Sequence, residues 1–320
     1  MPEMAIGLVG WRVKADRRSD DCMEDGAAPR GFSAVAVGVG CGAGAAVFWA
    51  AGLVAARHGI AVGLSPADMA LHRFVWSGLA LLPFVLVNGA ADLRAIGWFP
   101  AIMLSLFGGP LLAMTSYAGF LLVPLGHGAV IQPSCAALSG LLLASIVLRE
   151  KLTIERAGGA LIIVAGLMVI GGEALATIGT HGLLGDFAFV TAGLMFATFG
   201  MLLKLWRVSA IRSVGIVSVI ALIDIPIHWW LFGFERLAGA GLLENLLQAL
   251  VQGVFAGPGA TFLFTQSVVM LGAGRAAVFP SLVPGITMLI GFLLLGEIPS
   301  ALQIVGFAVV LVGFRFTQKV

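Results

Sequence analysis

Ten runs of mostly apolar residues, each about 20 residues long as a bilayer crossing requires, fix the solvent in which this chain folds. They lie near residues 33–56, 68–88, 97–120, 127–148, 156–175, 183–205, 213–232, 246–270, 276–295 and 300–316, separated by short charged or Gly/Pro-rich breaks. Lipid offers backbone N–H and C=O groups no partners, so spanning segments fold as helices or closed barrels. Hydrophobic residues make up 60% of the chain and charged residues 11%, with a mean hydropathy of +1.06. No soluble core could hide so much apolar surface. The expected fold class is all-α integral membrane, with ten transmembrane helices.

Charge gives the direction. With ten spans and both termini cytoplasmic, all of the 18 Lys and Arg residues fall on the inner side except Arg57, Arg73 and Arg236. That is a strong positive-inside bias, and nine or eleven spans would scramble it. Helix starts agree with the spans. Ser65-Pro66-Ala67-Asp68 offers an N-cap, a proline at the first helical position and an acid at the positive end of the dipole. Ser300-Ala301-Leu302-Gln303 reads as a capping box opening the tenth span.

A long-period echo divides the chain in two. Phe107-Gly108-Gly109-Pro110 returns as Phe255-Ala256-Gly257-Pro258. Pro133, Glu150, Gly159 and Gly166 return at one constant separation as Pro280, Glu297, Gly306 and Gly313, and Trp49-Ala50 returns as Phe196-Ala197. Five spans per half is an odd number, so the second half must enter the membrane from the opposite side. Two inverted five-helix repeats, at 32–175 and 183–316, place a binding site between them, as in secondary carriers.

Composition excludes several functions. The net charge of +2, with no basic run, argues against nucleic acid. Cys22, Cys41 and Cys135 lie far apart and make no CxxC or metal-type spacing, and the 5 His do not cluster. No metal or cofactor is expected. No GxxxxGK[ST] motif is present, which argues against ATP drive. Residues 1–31 mix Arg12, Lys14, Arg17 and Arg18 with Asp16, Asp20, Asp21, Glu24 and Asp25. They read as a disordered cytoplasmic tail rather than a secretory signal; a true start at Met23 would remove most of it.

The two copies of the fourth-to-fifth span unit carry a family resemblance. The first runs Gly128-Ala129-Val130-Ile131-Gln132-Pro133 through Leu148-Arg149-Glu150-Lys151-Leu152 to Gly159 and Gly166. The second runs Ala276-Ala277-Val278-Phe279-Pro280 through Leu295-Gly296-Glu297 to Gly306 and Gly313. With the span number and the duplication, Phe32 to Phe316 resembles the drug/metabolite transporter superfamily, specifically its EamA-type members. Arg73 matches an arginine commonly placed in the second span. Asp224 with His228 departs from the general pattern. The resemblance implies a secondary carrier in the cell (inner) membrane, often an exporter of amino acids or other small metabolites. Its central cavity would be lined by spans one to four and six to nine.

Candidate site residues follow, each with a structural alternative. Asp224 and His228 share one face of the seventh span, at a spacing that permits an ion pair. They line the cavity and take up a proton or a cationic substrate group during the cycle, or they sit by the Trp229-Trp230 interfacial belt. Arg73 holds a substrate carboxylate through its planar fork, or snorkels or pairs with Asp68. Glu150 and Glu297 end the fourth and ninth spans at opposite faces, as caps for the following helix or as alternating gates. Pro133 and Pro280 free carbonyls that can face a cavity, with Gln132 beside the first. Trp49, Tyr117, Thr265 and Gln266 are further polar or aromatic groups inside spans, while glycines such as Gly38 and Gly42 suit close helix packing.

The expected function is alternating-access transport of a small organic solute, driven by a proton gradient or by exchange, with the bilayer as the protein's other partner. The fifth and tenth spans are left open to a second copy, as in a homodimer. One rival is an integral-membrane enzyme, which normally needs clustered Asp, His or Arg at a membrane face. Another is a sensor or assembly subunit, which needs a sizeable extramembrane domain. A channel would want filter loops or rings of like charge.

Overall fold

The computed structural model describes residues 32–86, 96–123, 125–172, 183–295 and 298–318, and the described secondary structure is helical. The tail at 1–31 and Glu297 lie outside the described residues. The first half comprises α1 (Phe32–Ala61), α2 (Pro66–Phe84), α3 (Trp98–Gly108), α4 (Pro110–Leu122), α5 (Leu125–Ile146) and α6 (Ile154–Gly171). The second comprises α7 (Leu183–Leu205), α8 (Ala210–Ile220), α9 (Asp224–Phe232), α10 (Glu235–Leu250), α11 (Ala260–Leu271), α12 (Ala273–Ala276), α13 (Val283–Leu295) and α14 (Ala301–Thr317). Eight helical stretches among the described residues are long and apolar enough to cross a membrane. α2, which carries Asp68 and Arg73, is not among these, and α14 is a shorter apolar helix.

Local chemistry sets the ends. Ser65 and Asp68 form a reciprocal capping box: Asp68 N donates to Ser65 Oγ at 3.2 Å, and Ser65 N donates to Asp68 Oδ2 at 2.7 Å. Ser300 and Gln303 do the same at α14, at 3.2 and 2.9 Å. The two copies of the Gly-Pro motif fold differently. In the first, the chain breaks at Gly109 and Pro110 opens α4. In the second, Val251–Gly259 forms a π-helical stretch containing Pro258 between α10 and α11.

Packing between the halves follows the repeat. α6 lies along α14, with α1 against α11 and α7 against both α4 and α5. The α6–α14 crossing is built from the four repeated glycines. A Cβ on Gly159 would stand 2.7 Å from the Gly313 carbonyl oxygen, and one on Gly306 would stand 2.8 Å from that of Gly166. The early residue of α6 thus meets the late residue of α14, so these equivalent helices run antiparallel. Backbones this close are how membrane helices gain dispersion energy without a hydrophobic drive. The glycine faces of the fifth and tenth spans are therefore used by each other within one chain. Elsewhere, Gly52 packs on Ala256, and the equivalent positions, Phe199 and Gly108, pack together in the other half.

Candidate functional site

A cavity of about 580 Å³ lies at the seam between the repeats. Its walls use equivalent positions of the two copies: Trp49 with Phe196, Tyr117 with Phe264, and Pro133 with Pro280. Small residues at Gly108, Gly109, Ala113 and Ala136 make the space. The lining reaches Ile60 at the end of α1, Gly128 near the start of α5, Gly171 at the end of α6 and Gln303 at the start of α14. The cavity therefore extends to the face on which those helix ends lie.

Aromatic rings cluster in its lining. Trp49 meets Phe196 edge-on at 5.3 Å between centroids, and Phe264 stands 4.7 Å from Phe196 and 5.6 Å from Trp49. Each such contact adds about 0.5–1.5 kcal/mol beyond area burial and holds the rings in one geometry. Among the described lining residues, the first repeat alone brings a charge. Half-buried Arg73 donates from Nη1 to Tyr117 Oη at 3.2 Å. The equivalent positions in the second repeat are Ile220 and Phe264, so the frame is duplicated and its chemistry is not. Arg73 is held by backbone contact: a Cβ on Gly257 would lie 2.3 Å from the Arg73 carbonyl oxygen. Gln132 lines the cavity, and Pro133 lacks the N–H that would bind the carbonyl of Ala129, another wall residue. Pro280 sits where the ninth span breaks, in the 3₁₀ turn Phe279–Leu282 between α12 and α13.

Residues 36–172 and 183–317 each match the EamA-like transporter family. The chain belongs to that family. No curated protein matches the chain. A solved structure titled "Crystal structure of protein" is similar at 19% identity, with a TM-score of 0.65 over 89% of this chain and 96% of that one. At that identity the likeness establishes the fold and nothing finer.

The EamA-like fold brings Trp49, Arg73, Tyr117, Gln132, Pro133 and Pro280 to one cavity and leaves other sequence candidates outside its lining. Asp224 and His228 are both buried, but neither lines the cavity, and the seventh span contributes nothing to it. His228 Nε2 pairs with Asp68 Oδ1 at 3.0 Å, and its ring stacks on Phe234 at 5.7 Å. Asp68 is thus taken by His228 and Ser65, which leaves Arg73 to Tyr117. Asp224 Oδ2 is buried with no hydrogen-bond partner among the described residues. Gln266, on α11, also stands outside the lining.

Glu150 caps a helix, though not the one that follows it. Its carboxylate accepts from Ala273 N at 3.0 Å and Gly274 N at 3.4 Å, at the start of α12 in the other repeat. Gly272, with φ +91°, turns the chain there without a Cβ, which would stand 2.8 Å from Glu150 Oε1. The contact staples fourth span to ninth at the end away from the cavity mouth.

Sequence reasoning missed the aromatic floor of Phe199 and Phe264, although Phe264 repeats Tyr117 and the register would have found it. It also missed a polar cluster beside α2. His72 Nε2 meets Asn245 Oδ1 at 3.1 Å, while His58 Nε2 meets Glu244 Oε2 at 3.2 Å. Gln248 Nε2 donates to Glu244 Oε1 at 2.8 Å and to the Ala55 carbonyl at 2.7 Å. A second buried pair joins His127 Nδ1 to Asp186 Oδ1 at 2.6 Å across α5 and α7.

Proposed function

We propose that the protein is a ten-span secondary carrier that moves a small organic metabolite by alternating access between two inverted repeats, with both termini cytoplasmic. The observation that carries this reading is the cavity at the repeat seam, walled by equivalent residues of both halves and extending to one face. Antiparallel packing of α6 on α14 supports the inversion. The Glu150 staple supports closure at the opposite face in this state. Exchange of the two halves' conformations would open that face and close the other.

Proton coupling is part of the reading, and the Asp68–His228 pair is its candidate carrier. The pair is buried and joins the second span to the seventh, and Asp68 lies five residues before Arg73 on the same helix. Export is the direction that the family resemblance adds.

Counterflow in proteoliposomes tests the carrier. Liposomes loaded with an unlabelled solute that binds the protein should accumulate the labelled solute transiently. Ala113→Trp, which fills the cavity from a buried wall position, should abolish counterflow while the protein still inserts and melts cooperatively. Undiminished counterflow in that variant would contradict the assigned cavity.

A further inference from the structure

We propose that the cavity selects organic monocarboxylates with an apolar body, Arg73 and Tyr117 holding the carboxylate and the Trp49–Phe196–Phe264 rings holding the body. The inference rests on the carrier reading and deepens it.

Among the described residues Arg73 is the sole Lys or Arg of the lining, and neither Asp nor Glu lines the cavity. Among the described residues no carboxylate pairs with the guanidinium; its hydrogen bond goes to Tyr117 at 3.2 Å. A fixed charge at membrane depth is costly without a counterion, and since no described residue supplies one, an anionic solute is the group that would. A carboxylate fits the planar fork, and the Tyr117 hydroxyl, which accepts from Arg73, keeps its own proton to donate. Of the other polar groups in the wall, two hydroxyls are committed to backbone carbonyls, while Thr287 Oγ1 has no hydrogen-bond partner among the described residues. Ser116 Oγ donates to the Leu112 carbonyl at 3.0 Å and Thr261 Oγ1 to the Gly257 carbonyl at 2.8 Å. The amide of Gln132 makes no such bond among the described residues and remains for the solute.

Charge count narrows the class. A dianion such as a phosphate monoester would bring a second negative charge with no second cation to meet it. An ammonium group, as in an amine or a zwitterionic amino acid, would meet a lining whose one charge among the described residues repels it and whose described residues offer no carboxylate. The lining also carries the rings of Phe196, Phe199 and Phe264, which suit an aromatic or branched hydrocarbon body.

Calorimetry on the full chain in lipid nanodiscs tests this with a matched set: phenylacetate, phenylacetamide, phenylalanine, phenethylamine and phenyl phosphate. Phenylacetate should bind roughly 10- to 100-fold more tightly than each of the others, the size of a charge-assisted bidentate contact. Arg73→Gln should erase the gap between phenylacetate and phenylacetamide while leaving phenylacetamide binding in place, which shows that the variant is folded. Tyr117→Phe should narrow the gap without erasing it. Phenylalanine, phenethylamine or phenyl phosphate binding as well as phenylacetate would overturn the inference, as would a gap that survives Arg73→Gln. Counterflow of labelled phenylalanine that Arg73→Gln leaves unchanged would overturn it while the carrier stands. Tight, Arg73-dependent phenylacetate binding without counterflow of any bound solute would instead uphold the anion site and overturn the carrier.

Discussion

Asp68 shows how one side chain is fixed by competing partners. Its carboxylate accepts from Ser65 N and Ser65 Oγ, both at 2.7 Å, and meets His228 Nε2 at 3.0 Å. Removing one member of a buried pair strands the other, at a cost of about 3–5 kcal/mol. Asp68→Asn and His228→Gln should therefore each lower the thermal midpoint in detergent, and the double variant should lose less than their sum. Strict additivity in the four-protein cycle would contradict a direct pair. The same residues mark a limit of sequence reading. Asp224 and His228 sit one turn apart, so local spacing couples them, yet His228 takes a carboxylate from another helix. Partners across helices leave no periodic trace. Trp49, Tyr117, Gln132 and Pro133 were legible as cavity candidates because they are polar, aromatic or helix-disrupting residues within apolar spans. Register could then have supplied Phe196 and Phe264 from Trp49 and Tyr117.

At the scale of elements, caps and glycines could be read directly and helix breaks could not. The boxes at Ser65 and Ser300 are local, three residues long, and fold as their sequence dictates. The π-helical stretch at Val251–Gly259 and the interrupted ninth span share their motifs with the first half, where α3 and α4 break cleanly and α5 runs on through Pro133. Tertiary packing decides between those outcomes. The α6–α14 crossing makes a sharp prediction. Gly166→Ala would place a Cβ 2.7 Å from Val310 N and should destabilise by about 1–3 kcal/mol. Gly158→Ala, with nothing within 4 Å of its added Cβ, should stay within about 0.5 kcal/mol of the parent. Equal melting losses for the two would contradict the crossing. Glu150 belongs to this scale too. In a background with Cys22, Cys41 and Cys135 replaced, Glu150→Gln should raise thiol labelling of Ala144→Cys from the stapled side. It should lower labelling of Gln303→Cys at the mouth. Labelling rates that do not move would show that the carboxylate braces the hairpin without gating it.

The whole molecule is a duplicated frame with unequal contents. Both repeats supply rings, prolines and small residues to the cavity, while only the first supplies Arg73 and Tyr117. On the proposed carrier reading, such a frame would permit two opposite conformations of similar energy, and the asymmetric lining would give the solute one orientation in both. That division depends on the halves being threaded through the bilayer in opposite senses. Thiol labelling with an impermeant reagent on intact cells tests it most directly, using single cysteines at Thr180, between the repeats, and at Lys319, near the C-terminus. Inverted repeats require that Thr180→Cys react from outside the cell, and that Lys319→Cys react only after the membrane is opened. Labelling of both positions from the same side would contradict it.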